Sequence, residues 1–188
     1  MDSAPEFYAK DRAAWRQWLA QNHQTEQAVW LVYDKGSERT MSWSDIVQES
    51  LCFGWIDSRP RKRDDGKSMI YISRRKPKSV WSKINKTHIQ NLNELGLMAP
   101  AGLVAVEKAK ANGSWDSLNL SDALVIPPEL DAFFKAEPAL KKHFESFTES
   151  NRRNLLARIY GIKQPATRAN SINKLVVGLR AGKKASEL

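Results

Sequence analysis

The hydrophobic pattern changes near Ser79, and this change limits the fold more than any other feature of the sequence. Before it, short segments rich in β-branched and aromatic residues are separated by turns that contain glycine, which is typical of strands. After it, apolar residues recur every three or four positions, which is typical of helices. The sequence therefore predicts an α+β fold. We expect a small N-terminal sheet, a hairpin plus one strand, packed with helices and followed by an all-helical C-terminal domain.

The N-terminal part is predicted to contain, in order, a helix, a strand, a second helix and a β-hairpin. Their limits are residues 10–22, 28–34, 42–54, and 55–63 with 68–75. The second helix is expected to end at Gly54, because glycine is favoured just after the last helical turn. The turn of the hairpin is expected at residues 64–66, Asp-Asp-Gly.

Helices are predicted one after another in the rest of the chain. The first has an apolar stripe within about 80° on a wheel of 3.6 residues per turn: Trp81, Ile84, His88, Leu92 and Leu95. The later helices are predicted at residues 100–112, 128–136, 138–147, 150–161 and 166–180. Pro127-Pro128 interrupts this series, so we expect an N-terminal domain at 1–126 and a C-terminal helical domain at 127–188.

Composition favours a soluble protein. The chain has 188 residues, of which 41% are hydrophobic and 27% charged, enough for a packed core. No apolar run is long enough to cross a bilayer, so we expect no membrane insertion. The first residues have no leader pattern, and there is one cysteine, so we expect a cytoplasmic location.

The net charge of +9 is concentrated in two segments. Residues 59–83 hold ten Lys/Arg and two Asp, and residues 151–188 hold nine Lys/Arg and one Glu. The rest of the chain is acidic. Such a distribution favours an anionic small molecule, an acidic protein surface or nucleic acid as the partner. The alternative is a hairpin whose charges are simply solvated.

Candidate ligand-binding residues lie in the hairpin and in the helix after it. Arginines in a row suit the oxygen atoms of carboxylates and phosphates, and a nearby tryptophan could stack on a ring. The sequence predicts a ligand surface formed by Asp57, Arg59, Arg61, Arg74, Arg75, Lys78, Trp81, Lys83, Asn85 and His88.

Neither a metal site nor a nucleotide cofactor site is predicted. The three histidines have no ligand spacing, and no glycine-rich phosphate loop accompanies the arginines. Cys52 sits in the last turn of a predicted helix, where the dipole opposes a thiolate, so we expect it to pack in the core. An enzyme would need another centre. His88 with Asp57 as its carboxylate neighbour is the candidate for it.

Three stretches resemble the YdeI/OmpD-associated family, also described as bacteriocin-protection proteins. They are "SLCFGWID" at 50–57, "SRRKPKSVWSKIN" at 73–85 and "GLMAPAGLVAVEKAKANGSWD" at 96–116. Residues 133–184 resemble the helical OmdA-type domain of that family. This chain departs from the family pattern with Ser50 before Leu51-Cys52, and with Ala169-Asn170 where an arginine pair is usual.

The resemblance implies a role in protection against bacteriocins or association with a porin, with no established biochemical activity. Together with the basic segments, it favours a non-enzymatic binding or stress-protection protein that takes an anionic ligand. Two alternatives remain. One is nucleic-acid binding through residues 59–83 and 151–188, and the other is a small-molecule enzyme centred on His88 and Asp57.

Overall fold

The computed structural model describes residues 4–188 and confirms the α+β class. Two compact units divide the chain, one ending at Trp115 and the other spanning Asp116–Leu188. Between this division and the predicted boundary at 126/127 lie Leu124 and Ile126, and both of these side chains pack against the core of the second unit.

A four-stranded sheet organises the N-terminal unit. Its strands are β1 (Glu6–Tyr8), β2 (Ala28–Tyr33), β3 (Trp55–Lys62) and β4 (Ser68–Arg74). In space they run β1-β2-β4-β3, with β1 parallel to β2 and the other pairs antiparallel. The predicted strand and hairpin are confirmed as β2, β3 and β4. The edge strand β1 was not predicted, because three residues are too few to show an alternation.

Four helices accompany the sheet: α1 (Arg12–Asn22), α2 (Trp43–Cys52), α3 (Lys83–Glu94) and α4 (Pro100–Ala111). The main core joins alternate residues of β2 and β4, such as Leu31 and Ile72, to α1 and α2. The remaining alternate residues, including Trp30 and Met69, form a smaller cluster of their own. Alternate residues of a strand point to opposite faces, so the sheet has a main-core face and an outer face.

The predicted end of α2 at Gly54 is confirmed. Gly54 has φ +74°, a conformation that glycine adopts at little cost. A Cβ atom at this position would lie 3.0 Å from the Cβ of Ala105 and 3.2 Å from the carbonyl oxygen of Ala101. Because Gly54 has no side chain, α4 can lie directly against the turn between α2 and β3.

The predicted apolar stripe of α3 is wrong in part. Ile84 and Leu95 are 69% and 70% exposed, whereas Ile89 and Leu92 are buried. Trp81 is buried as well, but it precedes the helix, which begins after its cap residue Ser82. The buried face is therefore rotated from the predicted stripe toward Ile89.

The second unit is helical throughout its ordered elements. These are α5 (Asn119–Asp122), α6 (Pro128–Ala136), α7 (Pro138–Glu145), α8 (Glu149–Gly161) and α9 (Pro165–Arg180). The predicted buried face of the last helix is confirmed, since Ile172, Leu175, Val176 and Leu179 all lie in the core. Across residues 4–188, no helix has both the length and the apolar character needed to traverse a bilayer.

Candidate functional site

A cleft of about 480 Å³ lies within the N-terminal unit. Its walls come from the C-terminal end of α1, the turn between α2 and β3, the end of β4 with the residues after it, and α4. Its lining includes His23, Phe53, Trp55, Arg74, Arg75, Lys76, Trp81, Pro100, Ala101, Val104, Ala105 and Lys108. We call it the Arg74–Arg75 cleft.

The base of the hairpin places the two arginines in this cleft. Arg74 is the last residue of β4, and it lies opposite Trp55, the first residue of β3. The next backbone N–H, that of Arg75, donates to the carbonyl oxygen of Gly54 at 3.0 Å. The antiparallel pairing of β3 with β4 therefore fixes the arginine pair beside the turn between α2 and β3.

The guanidinium group of Arg75 is held by two contacts. Its carbon Cζ lies 3.6 Å from the centre of the Trp81 ring, and Nη2 donates to the carbonyl oxygen of Val80 at 2.6 Å. Within residues 4–188, its buried Nε and Nη1 atoms have no acceptor. Burial lowers the pKa of Arg75 to about 10, although the charge of Asp57 acts in the opposite direction. The group therefore stays protonated at neutral pH and has donors to spare.

Arg74 and Trp55 add further donors of the same kind. The Nε and Nη2 atoms of Arg74 and the indole Nε1 atom of Trp55 are buried, and the described part of the chain offers them no acceptor. Buried polar groups in folded proteins nearly always have a partner, so such a cluster indicates a place where an acceptor can bind. Three neighbouring side chains of one cleft share this property.

The charged residues that line the cleft are all cations. Arg74, Arg75, Lys76 and Lys108 line it, and the described lining contains no Asp or Glu. Asp57 lies near enough to act on the charge of Arg75, but in residues 4–188 no ion pair joins them. Burial raises the pKa of the Asp57 carboxyl group, and a backbone hydrogen bond and the charge of Arg75 oppose this effect.

Arg59 and Arg61 do not line this cleft. A register shift in β3 lies between Asp57 and Pro60. The Cζ atom of Arg59 is 5.5 Å from the ring centres of both Trp30 and Tyr71, and that of Arg61 is 5.8 Å from the ring centre of Trp30. These two arginines therefore cover the outer face of the sheet, whereas Arg74 and Arg75 stand in the cleft.

Four other predicted residues lie outside the cleft lining. Lys78 is an exposed residue of the loop after β4. Lys83 begins α3, and the backbone N–H of Asn85 is capped by the Ser82 hydroxyl at 3.3 Å. Of the predicted set, only Arg74, Arg75 and Trp81 line the cleft.

His88, the fourth, is a half-buried residue of α3. Its Nδ1 atom lies 3.5 Å from the Nε2 atom of Gln48. Over residues 4–188, no direct hydrogen bond joins His88 to Asp57.

Sequence reasoning missed the wall that α4 contributes. Pro100, Ala101 and Val104 looked like ordinary helix residues, and Lys108 lay outside the basic segments. Their approach to the arginines depends on contacts between residues far apart in the chain. Two glycines, Gly54 and Gly102, were local signals, because their missing side chains admit the close approach of α4.

Cys52 lies in the core and not in the cleft lining. Its side chain is fully buried, and burial raises the pKa of its thiol. A thiol held in the protonated form is a poor nucleophile. In the described chain, no three His, Cys, Asp or Glu side chains come together as ligands for a metal ion.

Fold and cleft together define an α+β protein that has a basic, aromatic-lined cleft in one unit and a helical second unit. Residues 7–105, more than half of the chain, match the family described as "Domain of unknown function (DUF8412)", and the chain belongs to that family. Residues 123–182 match the family described as "Bacteriocin-protection, YdeI or OmpD-Associated" (OmdA). No curated protein and no solved structure matches the chain.

The second match confirms the resemblance seen in the sequence. It indicates, at the level of the family, a function of the bacteriocin-protection type. The stretches at 50–57 and 73–85, whose sequences also resemble the YdeI family, fall within the domain of unknown function. The Arg74–Arg75 cleft therefore belongs to the part of the chain whose family description names no function.

Proposed function

We propose that the N-terminal unit binds a small anionic ligand in the Arg74–Arg75 cleft. On this proposal the protein acts by binding, without catalysing a reaction, and the binding is its contribution to protection of the bacteriocin-protection type. We also propose that it acts in the cytoplasm. Fractionation of cells that produce the native protein tests the location separately from the binding.

The observation that carries the proposal is the set of unpaired donors on two adjacent arginines. Arg74 and Arg75 each have two buried guanidinium nitrogen atoms for which residues 4–188 supply no acceptor. Leaving a buried donor unsatisfied costs about 1–3 kcal/mol, and more for a charged group. An anion that accepts hydrogen bonds from both arginines would remove this cost, so its binding would stabilise the folded state.

The size and composition of the cleft agree with a small ligand. Its volume of about 480 Å³ lies within the range of about 300–1,000 Å³ that is usual for small-molecule sites. Aromatic and aliphatic side chains supply most of the wall, and its cations come from the end of β4 with the residues after it and from Lys108 of α4. Such sites typically use a few polar groups to orient a ligand whose remaining surface is apolar.

Thermal unfolding with a panel of anions tests the proposal. Acetate, citrate, phosphate and sulfate are compared with chloride at matched ionic strength. A ligand that binds only the folded state raises the melting temperature as its concentration rises. We expect such a rise with at least one anion and its loss in Arg74→Gln. Arg59→Gln is the matched control, because it removes the same charge from the outer face of the sheet.

Two results would contradict the proposal. One is the absence of any stabilisation beyond that of chloride. The other is an equal loss of stabilisation in Arg74→Gln and Arg59→Gln, which would mean that the anions act through net charge alone. Arg75 is a less useful first target because its contacts with Trp81 and Val80 also support the fold.

Nucleic-acid binding through residues 59–83 and 151–188 is the second candidate, and the charge of these segments favours it. Part of that charge is already compensated, since Arg63 pairs with Glu6 and Asp65, and Lys67 pairs with Asp34. Fluorescence anisotropy with labelled single-stranded and duplex DNA at low salt tests it. Binding whose affinity falls steeply with salt would favour this candidate, and no binding at low salt would remove it.

A further inference from the structure

We propose that the ligand of the Arg74–Arg75 cleft is a carboxylate joined to an apolar body. The carboxylate would lie at the two arginines, and the apolar body would lie along α4. This inference rests on the proposed function and adds to it the chemical class and the orientation of the ligand. The same chemistry occurs in free fatty or aromatic acids and in the C-terminus of a peptide with apolar last residues.

The first argument is the division of the cleft into two unlike sides. The end of β4 and the two residues after it contribute Arg74, Arg75 and Lys76, whereas α4 contributes Pro100, Ala101, Val104 and Ala105 together with one cation, Lys108. Val104 is 51% exposed, although it is a large apolar residue on a wall of the cleft. A small hydrophilic anion would leave this apolar surface in water. An anion with a hydrocarbon or aromatic body would cover it.

The second argument is the chemistry of the positive side. Guanidinium groups match the planar, two-oxygen geometry of a carboxylate, and they can form two parallel hydrogen bonds with it. Arg75 is held in place by Trp81 and by the carbonyl oxygen of Val80, so little side-chain freedom is lost on binding. Phosphate sites are commonly built from a glycine-rich loop, and none lines this cleft.

The third argument concerns the floor of the cleft. Trp55 and Trp81 both line it, and both rings are almost completely buried. The indole Nε1 atom of Trp55 is a further donor without an acceptor in the described residues. A carboxylate has about four acceptor positions, so it can accept hydrogen bonds from the indole and from both guanidinium groups at one time.

Isothermal titration calorimetry on the full chain tests the inference with matched ligands. The series is acetate, butyrate, hexanoate and octanoate, with octanamide as the uncharged control and inorganic phosphate as the hydrophilic control. Each added methylene group that becomes buried is expected to tighten binding about fourfold. Octanamide and phosphate are expected to bind at least tenfold more weakly than octanoate.

A pair of variants on α4 separates the apolar wall from general effects on the helix. Val104→Ser changes the wall of the cleft, whereas Leu103→Ser changes an exposed apolar neighbour that does not line it. We expect Val104→Ser to reduce the gain in affinity from acetate to octanoate, because the longer chains lose apolar contacts with the wall, whereas the affinity for acetate should stay the same. Leu103→Ser should preserve the whole series. Arg74→Gln should weaken every member of the series.

The source of the carboxylate is distinguished by a peptide arm. A hexapeptide ending in two leucines is compared in its free-acid and amidated forms. Tighter binding of the free acid than of the amide supports the inference. If the free-acid peptide also binds more tightly than octanoate, the peptide C-terminus is identified as the source. Equal binding of acid and amide contradicts the inference. Phosphate or acetate binding as tightly as octanoate would overturn the inference alone. Failure of every anion to bind would overturn the proposed function as well.

Discussion

The guanidinium carbon of Arg75 lies 3.6 Å from the centre of the Trp81 ring, so the cation is stacked directly on the indole. Such contacts contribute more when they are shielded from water, because the attraction between a cation and a ring weakens with hydration. Trp81 is 1% exposed, and it also contacts Trp115 at a ring separation of 5.1 Å. One tryptophan therefore links the core of the N-terminal unit to the polar side of the cleft.

We expect Trp81→Ala to lower the free energy of unfolding by about 3–5 kcal/mol, since it removes a large buried ring and leaves a cavity. It should also free the guanidinium group of Arg75 and so weaken anion binding. Urea denaturation followed by circular dichroism measures the stability. Trp43→Ala is the control. Because Trp43 is 40% exposed, this variant should lose clearly less of the free energy of unfolding. Equal losses for the two variants would show that Trp81 does not support the core.

We expect Asp57→Asn to be more stable than the parent protein at neutral pH. Burial raises the pKa of Asp57 in the folded state, with opposing effects from a backbone hydrogen bond and Arg75, so folding favours the protonated carboxyl group. The contribution of the protonated Asp57 carboxyl group to the free energy of unfolding is complete below the unfolded-state pKa. It is lost as the pH rises through the folded-state pKa. The neutral amide avoids this loss.

The difference in stability between Asp57→Asn and the parent protein should therefore become smaller as the pH is lowered. Melting temperatures of both proteins between pH 4 and pH 8 measure it, with Asp64→Asn, an exposed residue of the hairpin turn, as the control. A stability difference that stayed constant over this range, or one that grew toward acid pH, would contradict the assignment of the effect to ionisation of Asp57.

Much of the fold could be predicted because local pattern and final burial agree. In α9 the apolar spacing alone identified Ile172, Leu175, Val176 and Leu179 as the buried face. The residue type of Gly54 likewise marked the end of α2, and the structure shows the reason, a backbone conformation with φ +74°. In α3 local pattern misled, because the apolar residues Ile84 and Leu95 are exposed, whereas Ile89, which lies outside the predicted stripe, is buried.

The candidate site could be predicted only in part. The sequence identified Arg74, Arg75 and Trp81, which follow one another along the chain. It could not separate them from Arg59 and Arg61, because the register shift that precedes Pro60 depends on pairing with β4. The α4 wall arises from packing between distant segments.

Glu49 was missed for a different reason: an acidic residue is seldom buried unless a cation accompanies it. Its carboxylate is 3% exposed, and it pairs with Arg12 and Arg16 at 2.6 Å each. The arginines keep 37% and 35% of their side-chain surface exposed, so only the acid depends fully on the pairs. We expect the double variant Arg12→Met/Arg16→Met to cost about 3–5 kcal/mol, because it leaves a buried carboxylate without a cation.

Adding Glu49→Gln to that double variant should recover part of the loss, since an amide is cheaper to bury than an unpaired carboxylate. Glu49→Gln alone should cost less than the double variant, because water can still solvate the two arginines. Urea denaturation of the four proteins gives the comparison. If the triple variant were less stable than the double one, the buried charge would not be the source of the loss.

Gly102 controls how closely α4 approaches the end of α2, and with it the shape of the cleft. A Cβ atom here would lie 2.2 Å from the carbonyl oxygen of Cys52, which accepts a hydrogen bond from Ala99 at 3.1 Å. We therefore expect Gly102→Ala to push α4 outward, lower the free energy of unfolding by about 1–3 kcal/mol and weaken ligand binding. Gly161→Ala is the control, since its Cβ would meet nothing within 4 Å and alanine favours helices. Urea denaturation measures the stability, and titration with octanoate measures ligand binding. A Gly102→Ala protein as stable as Gly161→Ala would contradict the close approach of α4.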